Sequence, residues 1–296
     1  MSIKEQPPLH VPVLLDAVLR ELSPQLGENY LDLTAGYGGH ARPLLEKTAN
    51  YTDSYLVDRD EFAHQHLGDL QDKGIHLLST DFVSAAHQLV DEGKQFSLIL
   101  LDLGVSSPQL DRAERGFSFT HSGPLDMRMD ARTELTAETI VNTFRRDDLT
   151  RIIKEYGEES LGAARRYAEA IVAARPLLTT KDLADTIKEA HVGRWKKIHP
   201  ATQTFQGIRI AVNDELSQIE DVLPLLPKLL KKGGRVAVIS FHSLEDRIVK
   251  RYFHEQRDAG YESELTIQTK KPLDGATYDV HNLRSRSAKL RVAVKK

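Results

Sequence analysis

Short apolar runs recur along the first third of the chain and again near its end. The early runs are YLDL at 30–33, SYLVD at 54–58, IHLLS at 75–79 and FSLILLD at 96–102. Runs without polar alternation, separated by helix-like stretches, are typical of buried parallel strands in βαβ units. GGRVAVISF at 233–241 predicts a fifth such strand, and ELTIQTK and AKLRVAVKK predict two final strands. We therefore expect an α/β fold.

One stretch between two predicted strands is much longer than the others. From Asp102 to the fifth strand, the chain is far longer than a single crossover helix requires. Apolar residues in this interval recur at three- and four-residue spacing, and Thr179 with Asp182 is typical of a capping box that begins a helix. We predict an all-helical domain inserted between the fourth and fifth strands, so that the chain divides into 1–109, 110–210 and 211–296.

Composition narrows the class of protein. A chain of 296 residues that is 40% hydrophobic can form one large domain or two ordinary ones. The absence of cysteine excludes disulfides, thiolate metal sites and a cysteine nucleophile. The first residues, MSIKEQPPLH, lack the apolar core of a secretory signal, and we expect a cytoplasmic protein. The net charge of −3 does not favour general binding to nucleic acid, although 281–296 contains basic residues and no acidic ones.

Acidic residues follow each of the first four predicted strands. The first is Asp32, ahead of a turn that contains Gly36, Gly38 and Gly39. Glycines at such a turn let the backbone approach a ligand at the start of the next helix. The later strands end at Asp58, at Asp81-Phe82 and at Asp102. A carboxylate after the second strand can accept hydrogen bonds from the hydroxyls of a ribose, so the set predicts a nucleotide-like cofactor.

Two cofactors compete for this site. Residues 36–41 can be fitted to the G-x-G-x-x-G/A dinucleotide pattern, which holds a pyrophosphate. The neighbouring carboxylates would repel a pyrophosphate but would suit the ammonium and sulfonium groups of S-adenosylmethionine. On charge we favour S-adenosylmethionine.

Seven longer motifs, in unbroken order along nearly the whole chain, resemble those of one family. They are HVPVLLDAVL at 10–19, DLGVSSPQLDRAERGFSF at 102–119, GPLDMRMD at 123–130, YGEE at 156–159, HPATQTFQGIRIAVNDEL at 199–216, SFHSLEDRIVK at 240–250 and RSRSAKLR at 284–291. The family is that of the bacterial ribosomal small-subunit RNA cytosine-N4 methyltransferases, called RsmH or MraW.

This resemblance implies a class I, Rossmann-like methyltransferase sheet with an inserted helical domain. It implies that the substrate is the exocyclic amine of one cytidine in the decoding region of 16S rRNA. It also implies contacts of S-adenosylmethionine with Gly38, Gly39, His40, Asp58, Phe82, Asp102 and Gln109. Two residues depart from the family pattern. They are Thr34, where many class I methyltransferases have glycine, and Leu283, where proline is expected, and neither is expected to touch a residue with a chemical role.

A cytosine amine is a weak nucleophile, so methyl transfer requires close positioning and acceptors for its protons. The loop DLGVSSPQ partly resembles the Pro-containing loop with which amino-methyltransferases hold the amine. We therefore expect Asp102 and the Ser106–Ser107 loop to orient the amine. Asp126 is a second candidate acceptor, or else a salt-bridge partner of Arg128 or Arg115.

His242 follows the fifth strand, where it can act as a base or cap the following helix. Without cysteine, and with no His-x-x-x-His pair beside a carboxylate, we expect no metal site.

Several residues are candidates for contact with RNA. Arg115, Phe117 and Phe119 offer a cation and two aromatic rings on which bases can stack, although the rings can equally anchor the inserted domain. His199 is a weaker candidate, because HPAT also reads as the start of a helix. Candidate phosphate contacts near the end of the chain are Arg284, Arg286, Lys289 and Arg291.

The expected partner is 16S rRNA or the small ribosomal subunit, and a homodimer is compatible with the sequence. Three alternatives stay open. They are an amino-methyltransferase that acts on DNA cytosine or protein, a non-catalytic RNA-binding factor for ribosome assembly, and an NAD-linked oxidoreductase.

Overall fold

The structure is a computed structural model that describes residues 12–105, 107–194 and 198–296. Its described residues divide into two compact units, one from Met1–Gly104 and Leu216–Lys296 and the other from Val105–Glu215. The first unit holds the sheet and the second is helical, and we call them the sheet unit and the helical unit. Along the chain, the helical unit begins after the fourth strand of the sheet and ends before the fifth.

The strands of the sheet unit form one sheet. They are β1 (Tyr30–Asp32), β2 (Tyr55–Val57), β3 (His76–Leu78), β4 (Phe96–Asp102), β5 (Leu230–Ser240), β6 (Leu265–Ile267), β7 (Leu273–Asp274) and β8 (Lys289–Lys295). The order is β3-β2-β1-β4-β5-β8-β6, and β7 pairs with β8. The first five strands are parallel, whereas β8 is antiparallel to β5, β6 and β7. This topology, with a helical segment between β4 and β5, confirms the predicted Rossmann-like α/β fold.

Among the described residues, the α-helices follow the predicted order. They are α1 (Leu15–Leu22), α2 (Ala41–Thr48), α3 (Glu61–His64), α4 (Gly68–Gln71), α5 (Phe82–Asp91), α6 (Ser107–Asp111), α7 (Ala137–Thr143), α8 (Arg146–Glu155), α9 (Leu161–Ala173), α10 (Thr180–Ala190), α11 (Ala201–Asn213), α12 (Glu215–Val222), α13 (Leu226–Leu229), α14 (Ser243–Asp258) and α15 (Gly275–Tyr278). The predicted capping box at Thr179 and Asp182 begins α10 and is confirmed. No helix in the described ranges is both long and apolar enough to cross a membrane.

Strand β4 explains why the sheet needs helices on both faces. Its run from Leu98 to Leu101 is fully buried, with Ile99 and Leu101 in one apolar cluster and Leu98 and Leu100 in the other. Since alternate side chains of a strand point to opposite faces, a strand without polar alternation must be covered on both sides. The helical unit has a separate core, to which α7, α8, α9, α10 and α11 contribute.

Candidate functional site

The sheet reverses its strand order between β1 and β4, which lie side by side in parallel. In open α/β sheets, ligands bind outside the carboxyl ends of the strands at this point. Asp32 ends β1 and Asp102 ends β4, so the topology brings two of the predicted carboxylates to this place.

Asp32 is almost fully buried and is held by its neighbours. The hydroxyl of Tyr30 donates to Asp32 Oδ2 at 2.6 Å, and the backbone N–H of Thr34 donates to Oδ1 at 3.1 Å. Burial raises the pKa of Asp32 to about 6, although these two hydrogen bonds lower it. Asp32 therefore takes up a proton more readily than an exposed aspartate does, and through Thr34 it fixes the turn that follows it.

Thr34 corrects one expectation from the sequence. Its side-chain hydroxyl accepts the backbone N–H of Asp102 at 2.6 Å, and its own N–H bonds to Asp32. Thr34, which stands where glycine is expected, thus contacts both Asp32 and Asp102, the residues that end β1 and β4. Sequence reasoning missed these contacts. A hydroxyl two residues after a strand-end acid was the available signal, but its partner lies 68 positions away in the chain.

A hydrogen bond joins the glycine turn to Asp58. Gly36 and Gly38 have positive φ angles of 51° and 80°, which glycine adopts at little cost. Asp58 accepts hydrogen bonds from the backbone N–H groups of Gly36, at 2.7 Å, and Asp60, at 2.8 Å. The pKa of Asp58 is nevertheless raised, because its burial outweighs those bonds. Its carboxylate is therefore fixed beside the turn, at the place predicted for a ribose contact.

Asp102 carries an acceptor for which the described part of the chain supplies no donor. Its Oδ1 is buried and has no hydrogen-bond partner among the described residues. Burial raises the pKa of Asp102 well above its usual value, and the negative charges of Asp32 and Glu245 raise it further. Buried polar atoms in native proteins are rarely unpaired, and the exceptions need an explanation. A donor group of a bound ligand would supply the missing partner.

His40, at the start of α2, lies beside this carboxylate. Its Nε2 bonds to the backbone oxygen of Val13 at 2.8 Å, and its Nδ1 lies 3.5 Å from Asp102 Oδ2. A carbonyl oxygen only accepts, so Nε2 carries a proton. A bare Nδ1 would repel an ionised carboxylate, whereas one proton on either group makes the contact attractive. His40 and Asp102 thus form a pair that is suited to share one proton.

Asp81 and Phe82 follow β3 at the same edge of the sheet. Asp81 Oδ1 accepts the backbone N–H groups of Val83 and Ser84 and so caps α5. Phe82 is the first residue of that helix and is partly buried against the core. The carboxylate of Asp81 is therefore engaged in capping α5. The ring of Phe82 remains the candidate for contact with a nucleobase such as adenine.

His242 caps α14, which favours the second of its two interpretations. Its side chain accepts the backbone N–H of Glu245 at 3.4 Å, and the carboxylate of Glu245 accepts the N–H groups of Phe241 and His242. These reciprocal bonds make a capping box. The spacing of His242 and Glu245 was the sequence signal for this box, but histidine is an unusual residue at the cap.

In the helical unit, Asp126 is bound to Arg128. Asp126 Oδ1 and Oδ2 accept from Arg128 Nε and Nη2 at 2.9 and 2.7 Å. The pKa of Asp126 is lowered by Arg128 and Arg115 against the opposing effect of burial. A carboxylate of lowered pKa is a weaker base, so the structure favours the salt-bridge alternative over a role as proton acceptor.

The other candidates of this unit lie near α6 and in its core. Gln109 is buried in α6. Ser107 begins α6, although its side chain, like the whole of Ser106, lies outside the described residues.

The aromatic candidates belong to this core. Phe117 is 6% exposed, and Arg115 lies against its ring while donating to the backbone oxygens of Arg128 and Met129. Phe119 lies with its ring centroid 4.8 Å from those of His199 and Phe205. His199 Nδ1 also accepts the N–H of Ala201 at the start of α11. For Phe117, anchoring is the interpretation that burial favours.

The basic residues near the end of the chain separate into two groups. Arg284 and Arg286 are exposed on either side of the buried Ser285, ahead of β8. Lys289 and Arg291 lie on β8, and both bond to Asp246 of α14. Arg291 is 6% exposed and its Nε is bound to Asp246, so it is not the open surface contact that the sequence suggested, although it lines a cavity beside α14.

The residues at the carboxyl edge of the sheet unit fit S-adenosylmethionine. They provide a glycine turn, a fixed carboxylate at Asp58 and an unpaired buried acceptor at Asp102. Acceptors of this kind suit an ammonium, a sulfonium and ribose hydroxyls, whereas a pyrophosphate would require donors and cations.

Comparison with known proteins places the chain in one family. A model of the MraW methylase family matches residues 8–296. Ribosomal RNA small subunit methyltransferase H of Synechocystis sp. is 46% identical over 97% of this chain and 93% of its own length. The protein of the same name from Acidobacterium capsulatum is 45% identical over 97% and 98%. Among solved structures, a Streptococcus mutans putative methyltransferase in complex with SAH has a TM-score of 0.43 at 11% identity, and the match covers 97% of this chain and 100% of that one.

Proposed function

Because the chain belongs to the MraW methylase family, we propose that it methylates the exocyclic N4 amine of one cytidine in the decoding region of 16S rRNA. Family membership confirms the predicted cofactor, S-adenosylmethionine. Two relatives that are 45–46% identical over nearly the whole chain are named for small-subunit ribosomal RNA, which supports the RNA substrate. The observation that carries the chemistry is the buried, unpaired Oδ1 of Asp102 at the switch point of the sheet.

S-adenosylmethionine supplies an activated methyl group on a sulfonium. We assign its binding in the sheet unit to the turn at Gly38, Gly39 and His40, to Asp58 and Phe82, and to one oxygen of Asp102. Asp58 suits a pair of ribose hydroxyls because two backbone N–H groups already fix its position. Gln109 of the helical unit is assigned by resemblance alone.

The amine requires acceptors for its N–H bonds, because its lone pair is delocalised into the base. Asp102 is the residue of the sheet unit that best meets this need, since its Oδ1 is buried and no described residue donates to it. As the new N–C bond forms and the S–C bond breaks, the nitrogen loses electron density, so a carboxylate that accepts its N–H stabilises the positive charge that develops. The Ser106–Ser107 loop is the second element that we expect to hold the amine.

Methyl transfer leaves a proton on the amine nitrogen that must depart. The raised pKa of Asp102 makes its carboxylate a stronger base than an exposed aspartate. His40 lies beside the other carboxylate oxygen and is fixed by Val13 through Nε2. We assign His40 the role of positioning Asp102 and of sharing the proton that it receives.

For the RNA, we propose that the helical insert predicted at 110–210 carries the recognition surface. Arg284 and Arg286 are exposed and suited to bind phosphates. Reaching N4 in folded RNA requires that the cytidine leave its stack.

The decisive experiment supplies labelled S-adenosylmethionine to the protein with small ribosomal subunits, free 16S rRNA or DNA, followed by nucleoside analysis. We expect N4-methylcytidine in the RNA or the subunit and none in the DNA. RNA without N4-methylcytidine, or label in DNA or protein instead, would overturn the proposal.

Asp102→Asn tests the assigned site within the same assay. We expect methylation to fall by about 100-fold or more, in the range that general-base groups contribute. Asp72→Asn is the matched control, because Asp72 is exposed in the same unit. If Asp102→Asn keeps both the affinity for S-adenosylmethionine and the methylation rate, Asp102 has neither role.

A further inference from the structure

A cavity lies in the sheet unit, between α14 and the strands β6 and β8. Its volume is about 490 Å³, which is within the usual range for pockets that bind small organic molecules. Helix α14 begins at the carboxyl edge of the sheet, and Phe253 of the cavity lies about 15 Å further along its axis. The cavity is therefore separate from the site built around Asp102.

The polar lining of this cavity is basic. None of the described residues that line it is acidic, and its arginines and lysines are Arg257, Lys270, Arg291 and Lys296. Arg257 and Arg291 are paired with Asp258 and Asp246. Lys270 is exposed and forms no hydrogen bond or ion pair with another described residue. An excess of positive charge in a concave site favours an anionic ligand.

Arg291 is the feature that makes this cavity a prepared site. The side chain is 7% exposed, and Asp246 accepts from its Nε at 2.8 Å. Arginine has four further N–H donors on its two Nη atoms, and no described residue accepts from them. A buried guanidinium held at Nε, with its Nη donors unpaired, is suited to bind two oxygens of one phosphate.

The rest of the lining is suited to an apolar group. Phe253 and Leu265 are each 1% exposed and contribute to the cavity wall, together with Ile267 of the edge strand. A bare phosphate would leave this wall unused, and a purely apolar ligand would leave the Nη donors of Arg291 without an acceptor. A phosphate joined to a planar heterocycle satisfies both parts.

We propose that this cavity binds a nucleotide, with its phosphate on Arg291 and Lys270 and its base against Ile267 and the apolar wall behind it, to which Phe253 and Leu265 belong. The nucleotide is either free or part of an RNA strand, since both present the same phosphate and base. The inference depends on the cavity alone and does not rest on the proposed methylation.

The test measures binding of GMP and of guanosine by titration calorimetry, with the protein saturated with S-adenosylhomocysteine so that the cofactor site is occupied. We expect GMP to bind at least about tenfold more tightly than guanosine, since only GMP carries the phosphate. The affinity should fall as salt is raised. Absence of GMP binding, or equal binding of the two, would overturn the proposal.

Variants locate the binding. Lys270→Glu should weaken GMP binding by about tenfold or more, because it replaces a cation of the lining by an anion. Lys47→Glu makes the same charge change on the exposed face of α2 and should have no effect. Arg291→Lys keeps a cation beside Asp246 but removes the fork of N–H donors, and it too should weaken binding. Equal GMP affinity in Lys270→Glu and Lys47→Glu would rule out this cavity.

Competition identifies the source of the nucleotide. Displacement of GMP by a short single-stranded RNA, lost in Lys270→Glu, would assign the cavity to an RNA strand. GMP binding that is sensitive to Lys270→Glu but unaffected by RNA would assign it to a free nucleotide. Displacement by an Asp- and Glu-rich peptide as effective as that by RNA would overturn the proposal in favour of a peptide site.

Discussion

Thr34→Val tests the link between the two strand-end acids. The substitution keeps the branched shape of the side chain but removes the hydroxyl that accepts the Asp102 N–H at 2.6 Å. That donor would then lie partly buried without a partner, which costs about 1–2 kcal/mol. For a domain of this size, each kcal/mol corresponds to about 2–4 °C, so Tm should fall by roughly 2–8 °C. Asp102 would also lose its anchor, and we expect the affinity for S-adenosylmethionine to fall by up to about tenfold.

Calorimetry measures both quantities, Tm by scanning and Kd by titration. Thr34→Ser is the matched control, because it keeps the hydroxyl and should retain most of the Tm and the affinity. The reasoning would be refuted if Thr34→Val matched the parent protein in both, or if Thr34→Ser lost as much as Thr34→Val.

Three further predictions follow from the sheet unit. Folding raises the pKa of Asp32 from its usual 3.8 to about 6, so its protonation stabilises the fold at low pH, and this contribution is lost as the pH rises through 6. The unfolding free energy of the parent protein minus that of Asp32→Asn should therefore fall between about pH 4 and pH 6. Urea titrations that give the same difference at both pH values would contradict this. His242→Ala should cost about 1 kcal/mol through loss of the cap, whereas His242→Asn should keep both stability and methylation rate; a large loss of rate in His242→Asn would instead indicate a base. Gly38→Ala should destabilise the protein by about 1–2 kcal/mol, because φ is 80° and the new Cβ would lie 2.9 Å from Leu67; Gly68→Ala has open space and no positive φ, so equal urea midpoints for the two would show that the turn is not restrictive.

The sequence predicts those features that depend on local pattern. The apolar run at 96–102 is β4 in the structure, and the capping box at Thr179 is present as expected. Both follow from interactions within a few residues, which a single sequence displays directly.

Features that depend on distant contacts were not predictable in the same way. The hydrogen bond from Asp102 to Thr34 joins residues 68 positions apart, and the bond from His40 to Val13 joins residues 27 apart. The pKa of Asp102 is raised first by burial and then by the charges of Asp32 and Glu245, and only the completed fold produces these surroundings. Sequence reasoning could therefore name Asp102 but could not derive its protonation behaviour.

The position of β8 in the sheet has a consequence for synthesis of the protein. β6 is made before β8 but pairs with it in the sheet, and β8 lies between β5 and β6. A nascent chain that stops before residue 289 therefore has β5 with one open edge and β6 without this neighbour. Because domains fold as units while they are synthesised, the sheet unit can close only after β8 has left the ribosomal exit tunnel. Until then, exposed strand edges make the partial chain a candidate for chaperone binding.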